Sequence, residues 1–99
     1  MSSETTPAPA TFLDNKGQPV ELLLYGYDAC PFCARVRMAT KNLGLSIPMR
    51  DTLREPGARE ELRNIGGKTQ VPCLLINGAP LYESADIIRF LENEVSGPA

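Results

Sequence analysis

The chain has 99 residues, 42% of them apolar, ten basic and twelve acidic side chains for a net charge of −2, and no histidine. That length supports one small domain with its own core, while the unclustered charge speaks against a nucleic-acid surface and no apolar run reaches the roughly 18 residues of a membrane span. Lack of histidine removes the commonest general base and every His-containing metal site, and three cysteines cannot close a disulfide framework without leaving one over.

Met1 to Ala10 is rich in Ser, Thr, Pro and Ala and reads as a flexible tail, with too little apolar surface to offset the entropy of ordering. It lacks the positive n-region and apolar stretch of a secretory signal, so the expected compartment is the cytoplasm, where thiols stay reduced. Thr11-Phe12-Leu13 precedes the turn signal Asp14-Asn15-Lys16-Gly17, which places an extra short strand within an N-terminal segment spanning 1–19. The folded domain is expected over 20–96.

Val20 to Tyr25 is a near-continuous apolar run, the pattern of a central strand covered on both faces. The loop Gly26 to Cys30 leads to Pro31, a favourable first helical residue. Val36, Ala39 and Leu43 then mark the buried stripe of a helix that Gly44 stops. Leu45 to Asp51 reads as an edge strand, because Pro48 removes a ladder donor. A second helix opens at Pro56, buries Ala58, Leu62 and Ile65, and ends at Gly66-Gly67. Asn77-Gly78 between Cys73–Ile76 and Leu81-Tyr82 signals a hairpin. Ser84 caps a last helix with core stripe Ile87, Ile88, Leu91 and Val95, and Gly97-Pro98 breaks it. The expected fold is α/β, a four-stranded mixed sheet flanked by three helices in the order β-α-β-α-β-β-α.

Cys30 and Cys33 stand at the junction of the central strand and the first helix. The free amides and positive dipole end of a helix start favour a thiolate at Cys30, and Cys-x-x-Cys thiols in such places have pKa values of about 3.5–7.5. Cys33, one turn inside, is shielded by its own helix. This assigns attack on a disulfide sulfur to Cys30 and resolution of the mixed disulfide to Cys33. A zinc half-site is the bland alternative, but zinc normally takes four ligands, and only Cys73 remains to supply one. No metal is expected.

Cys30-Pro31-Phe32-Cys33, Gln70-Val71-Pro72 and Glu83-Ser84-Ala85-Asp86 at these separations resemble a glutaredoxin of the thioredoxin superfamily over Val20 to Val95. The last two motifs are also similar to the N-terminal domain of glutathione transferases. The resemblance implies a thioredoxin-like fold, a cis peptide at Val71-Pro72 packed beside the cysteines, and glutathione as reductant. It implies that the Val71 backbone pairs with the cysteinyl part of glutathione, and that Glu83, Ser84 and Asp86 hold its γ-glutamyl end. A Ser hydroxyl at a helix start suits that carboxylate, and an acid beside it suits the ammonium. Phe32 replaces a commoner Tyr and packs over the site without a hydroxyl.

Two departures bear on activation. Glutaredoxins often carry a Lys shortly before the first cysteine, where this chain has Gly26-Tyr27-Asp28-Ala29, and an acid close to Cys30 would work against its thiolate. The missing positive charge falls to Lys68 or Arg35, and either is equally readable as a solvated surface charge. Cys73, directly after Pro72, reads either as a redox-sensitive third thiol or as a small buried strand residue.

The function expected from these motifs is that of a dithiol glutaredoxin, an enzyme that reduces protein–glutathione mixed disulfides and protein disulfides. Its partners are glutathione and glutathionylated or disulfide-bonded proteins, with no nucleic acid or membrane, and it is expected as a monomer. An iron–sulfur-binding dimer is one alternative, disfavoured by Pro31 and Cys33; a thioredoxin-reductase-coupled electron donor is another. A complete glutathione transferase carries an additional helical domain, for which 99 residues leave no room.

Overall fold

A computed structural model describes residues 7–99. The elements run β1 (Ala10–Asp14), β2 (Pro19–Gly26), α1 (Pro31–Asn42), β3 (Met49–Asp51), α2 (Ala58–Gly66), β4 (Cys73–Ile76), β5 (Ala79–Tyr82), α3 (Ser84–Glu94) and β6 (Val95–Pro98). The predicted β-α-β-α-β-β-α order is the stretch from β2 to α3; β1 is the extra short strand expected before it, and β6 is a strand the sequence reading did not foresee.

β2 is the spine because it is long, apolar and paired along both edges. On one edge it meets β4 antiparallel, from Leu22↔Ile76 to Tyr25↔Cys73. On the other, β1 runs antiparallel beside its first half and β3 parallel beside its last residues, Leu24 to Gly26. The full order is β5-β4-β2-β1-β6, with β3 beside β2. Asn77 (φ 52) and Gly78 (φ 86) are consecutive left-handed residues, the geometry that a two-residue hairpin needs to match strand twist.

Strand side chains alternate between faces, so the sheet separates two cores. Leu22, Leu24 and Leu74 face α1 and α3 and pack with Val36, Ile87 and Leu91. Leu23, Tyr25, Cys73 and Leu75 face α2 and pack under Leu62. Each Leu or Ile buried in this way contributes about 1.5–3 kcal/mol of apolar transfer. Behind α2 lies a polar network as well. Buried Arg50 of β3 donates to Glu55 (2.6 Å) and to both carboxylate oxygens of Glu61, whose Oε1 also accepts from the Tyr25 hydroxyl (2.9 Å). The Arg50 guanidinium holds the Glu61 carboxyl below its ordinary range, and Glu61 in turn strengthens the charge on Arg50.

Several boundaries differ from the sequence reading, each for a local reason. Residues from Ala10 onward belong to the sheet, with Phe12 in the core, because β1 finds partners in both β2 and β6; of the expected tail, residues 1–6 lie outside the described residues. The β3 strand is only three residues long, since ladder pairing starts past Pro48. α2 opens at Ala58 instead of Pro56, because Gly57 takes φ 82 and cannot be helical. Leu43 and Ile65 are exposed: the buried stripe of α1 is Cys33, Val36 and Thr40, and that of α2 is Ala58 and Leu62. Ser84 is the first helical residue of α3 instead of its cap, and Glu83 occupies the cap with φ 71. Gly97-Pro98 does not merely end the helix; it lies in β6, which pairs with β1.

Candidate dithiol active site

Three chain segments meet at one end of the sheet. β2 leaves it at Gly26 and the chain turns into α1. β4 enters at Cys73, opposite Tyr25, so the register brings Pro72 beside Gly26. β5 leaves at Tyr82, opposite Cys73, and leads through Glu83 into α3. The predicted residues Cys30, Cys33, Val71, Pro72, Glu83 and Ser84 are thereby gathered from positions more than fifty residues apart.

Cys30 is the N-cap of α1 and accepts the Cys33 N–H at 3.3 Å through its Sγ. Capping groups normally carry oxygen, and a sulfur there receives the same unsatisfied helix amides. Both thiols are free. Cys30 is 6% exposed, at the lip of the helix, whereas Cys33 is 0% exposed. Burial pushes the Cys33 thiol up to about 12, helped by the contact and charge of Cys30. Cys33 is therefore held protonated at neutral pH. Gly26 explains how the pair fits under the sheet end: a β-carbon at this position would sit 2.8 Å from Cys33 Sγ. Phe32 is 55% exposed and forms an apolar edge beside Cys30.

The Val71-Pro72 peptide is cis. Gln70 Nε2 donates to Glu83 Oε2 (3.0 Å), tying the segment before the proline to the start of α3. Glu83 carries a positive φ without being glycine, a strained setting of the kind that clusters at ligand sites. Ser84 is buried at the helix start, and Asp86 is exposed in the first turn, accepting from Arg89 at 3.2 Å. Lys68 does not reach toward Asp28. Its Nζ lies 4.2 Å from the centre of the Tyr82 ring, a cation–π contact. Arg35 lies on the solvent face of α1.

Asp28 is balanced by two arginines that the sequence reading did not single out. Arg37 Nη1 reaches Asp28 Oδ1 at 2.6 Å, and Arg54 Nη1 is 3.8 Å from Oδ2. Arg54 comes from the loop after β3, and nothing in residue spacing announces that contact. Arg54 also lies 4.0 Å from Asp51, so Asp28, Arg37, Arg54 and Asp51 form a charge-balanced cluster next to the active-site loop, where a lone acid was expected.

Cys73 is also 0% exposed, but register places it on the α2 face with Tyr25 and Leu62, opposite the α1 face on which Cys33 packs. Burial raises it to about 11. The sheet thus separates Cys73 from the dithiol, which favours the buried-strand-residue reading. Among the described residues no group of three or more His, Cys, Asp or Glu side chains is placed to hold a metal ion. None of their helices is long and apolar enough to cross a membrane.

A Cys-x-x-Cys at the start of α1 and a cis-proline opening the neighbouring antiparallel strand define a thioredoxin-like fold carrying a dithiol site. Comparison with known proteins narrows the class. The profile of the "Glutathione S-transferase, N-terminal domain" family matches residues 24–99, and the chain belongs to that glutathione-binding family. Glutathione S-transferase L3 of Arabidopsis thaliana is 32% identical over 106 residues, covering 97% of this chain and 43% of the relative, so the chain spans less than half of that protein's length. Among solved structures, a delta-class glutathione transferase of Nilaparvata lugens is 28% identical (TM-score 0.61; 71% of this chain, 34% of that one). A wheat glutaredoxin at 24% identity shares the fold (TM-score 0.60) and is covered over 71% of its length against 73% of this chain.

Proposed function

We propose that the protein is a glutathione-dependent thiol-disulfide oxidoreductase of the dithiol type. The observation that carries this reading is the placement of Cys30 as the N-cap of α1, with a buried, protonated Cys33 one turn behind it.

With a protein–glutathione mixed disulfide, the Cys30 thiolate attacks the glutathionyl sulfur. The protein thiolate leaves and takes up a proton, and Cys30 is left disulfide-bonded to glutathione. A second glutathione thiolate attacks that glutathionyl sulfur, giving oxidised glutathione and restoring Cys30. With a protein disulfide, Cys30 forms a mixed disulfide with one substrate sulfur. Cys33 then attacks Cys30 Sγ, releasing the second substrate thiol and leaving a Cys30–Cys33 disulfide, which two glutathione molecules reduce. Once Cys30 is in a mixed disulfide it no longer presents a charge to Cys33. Part of what holds Cys33 protonated thus disappears at the step that needs its thiolate.

In this reading glutathione lies with its cysteinyl backbone along Val71 and its γ-glutamyl end at Glu83, Ser84 and Asp86, with Phe32 and Lys68 bordering the site. The family match supports this ligand, and the Gln70–Glu83 hydrogen bond supports Glu83 as part of a prepared surface.

The deciding experiment measures turnover of a glutathionylated protein with glutathione and glutathione reductase. Cys33→Ser is expected to keep this activity within about fivefold, and Cys30→Ser to lose roughly a thousandfold or more. Activity in Cys30→Ser would falsify the assignment. Turnover with thioredoxin reductase in place of glutathione would favour the rival donor reading. Because the family match is to transferases, conjugation of glutathione to an aromatic electrophile is the second assay, and activity there that survives loss of Cys30 would support a transferase.

A further inference from the structure

α1 carries three cations, Arg35, Arg37 and Lys41, and no anion, although the chain as a whole is acidic. Beside this helix, starting one turn from Cys30 at Ala34, lies an open hollow of ≈ 580 Å³. Leu45, Ile47 and Met49 give it an apolar lining, and Arg37, Met38 and Lys41 of α1 stand on its rim. No acidic side chain lines it. Met38 is 60% exposed at its border, a large apolar side chain left in solvent. Asp28 pairs with Arg37 and offsets its charge, which leaves Lys41 as the rim cation with no acidic partner within 4 Å among the described residues. The hollow on the opposite flank of α1 contains Glu92 and lacks this single-sign rim.

We infer that this hollow is the docking groove for the protein substrate, and that the segment it accepts carries acidic and aliphatic side chains a few residues from the disulfide-bonded cysteine. The inference rests on the thiol-disulfide reading above and names the class of substrate that reading leaves open. The geometry sets the spacing. Lys41 lies eleven residues along the helix from Cys30, about 16 Å at 1.5 Å per residue. An extended substrate covers that distance in about five residues. Acidic residues four to five positions from the modified cysteine meet Lys41, and an aliphatic residue between them and the cysteine meets Met38 and Ile47. Such charge matching acts mainly on encounter rate and on discrimination between partners, and salt screens it.

The test compares three ten-residue peptides glutathionylated on one cysteine, with Asp/Glu, Ser or Lys at those positions and one Leu among them. The small mixed disulfide of glutathione with β-mercaptoethanol serves as control. At an ionic strength of about 0.01 M the acidic peptide is expected to exceed the lysine peptide in kcat/KM by about tenfold or more, falling to about twofold at roughly 0.5 M. Lys41→Glu is expected to remove most of that preference, Lys41→Arg to keep it, and both to turn over the small disulfide like the parent. Equal kcat/KM for the acidic and lysine peptides, or a preference untouched by Lys41→Glu, overturns the groove while leaving the dithiol chemistry standing. Failure of the parent protein to turn over even the small disulfide overturns the chemistry itself, and the groove with it.

Discussion

The two faces of the sheet hold equally buried cysteines in different surroundings. Cys33 and Cys73 are both 0% exposed, and burial raises both, to about 12 and about 11. Cys33 belongs to the first turn of a helix whose cap is another thiol at the surface. Cys73 belongs to an interior strand, under α2, with the Tyr82 hydroxyl as its polar neighbour. That hydroxyl is buried without an oxygen or nitrogen partner. Burial alone therefore does not make a thiol reactive or inert. A path to a neighbouring surface sulfur does, and only the α1 face has one.

The α2 face is held by charge as much as by apolar contact, and its most damaging change should be there. Arg50→Ala is expected to cost about 3 kcal/mol in denaturant unfolding, because it strips Glu55 and Glu61 of a guanidinium that is 5% exposed. The half-exposed Glu61 keeps the loss below that of a fully buried pair. A loss under 1 kcal/mol would mean that the apolar cluster around Leu62 carries the face alone.

Alkali should weaken both faces together. Cys33 and Cys73 have an ordinary value of 9.0 and Tyr25 one of 10.0, and in the fold they stand near 12, 11 and 12. Between pH 9 and 12 the unfolded chain has released protons that the folded chain still holds, so stability falls as pH rises through that window and is unaffected by these groups below pH 9. The combined loss by the top of that window is on the order of several kcal/mol, comparable with the whole stability of a small domain. Flat stability from pH 8 to 11 would show that these groups are better solvated than their burial implies.

Gly26→Ala probes the α1 face directly. Its new methyl would lie 2.8 Å from Cys33 Sγ and 3.3 Å from its Cβ, so α1 must shift, at a cost of about 1–3 kcal/mol. Under the proposed mechanism, reduction of protein disulfides, which would need Cys33, should slow more than reduction of glutathione mixed disulfides, which would need only Cys30. Equal slowing of both would place the strain on Cys30 instead.

The smallest effect belongs to Cys73. Cys73→Ala is expected to cost about 1 kcal/mol through lost packing and to leave turnover unchanged. In native protein Cys30 should alkylate first and Cys73 only on unfolding, a sequence that mass mapping of labelled peptides resolves. Rapid native labelling of Cys73 would erase the contrast between the faces.

Much of this arrangement was legible before folding. Four consecutive apolar residues, Leu22 to Tyr25, with Val20 nearby, can only be satisfied by a strand covered twice, and Asn77-Gly78 admits few turns other than a tight hairpin. The dithiol was legible because Cys30-Pro31-Phe32-Cys33 sits where a strand pattern gives way to a helical one. β6 was missed because Val95-Ser96-Gly97-Pro98 has no strand pattern of its own; it is a strand because β1 offers an open edge. The cap of α3 was misplaced because Ser84 is the better capping residue by chemistry, while the position belongs to Glu83 by backbone geometry.

Residue order by itself determined the elements from β2 to α3 and the seat of the Cys30–Cys33 pair at a strand-to-helix junction, because periodicity, turn chemistry and helix-start electrostatics are local. Tertiary structure alone decided three things: that Asp28 is balanced by Arg37 and Arg54, that Arg50 is buried among acids, and that Cys73 lies across the sheet from Cys33. Each depends on strand register and on contacts between residues distant in sequence, where a shift of one residue would turn a side chain to the opposite face.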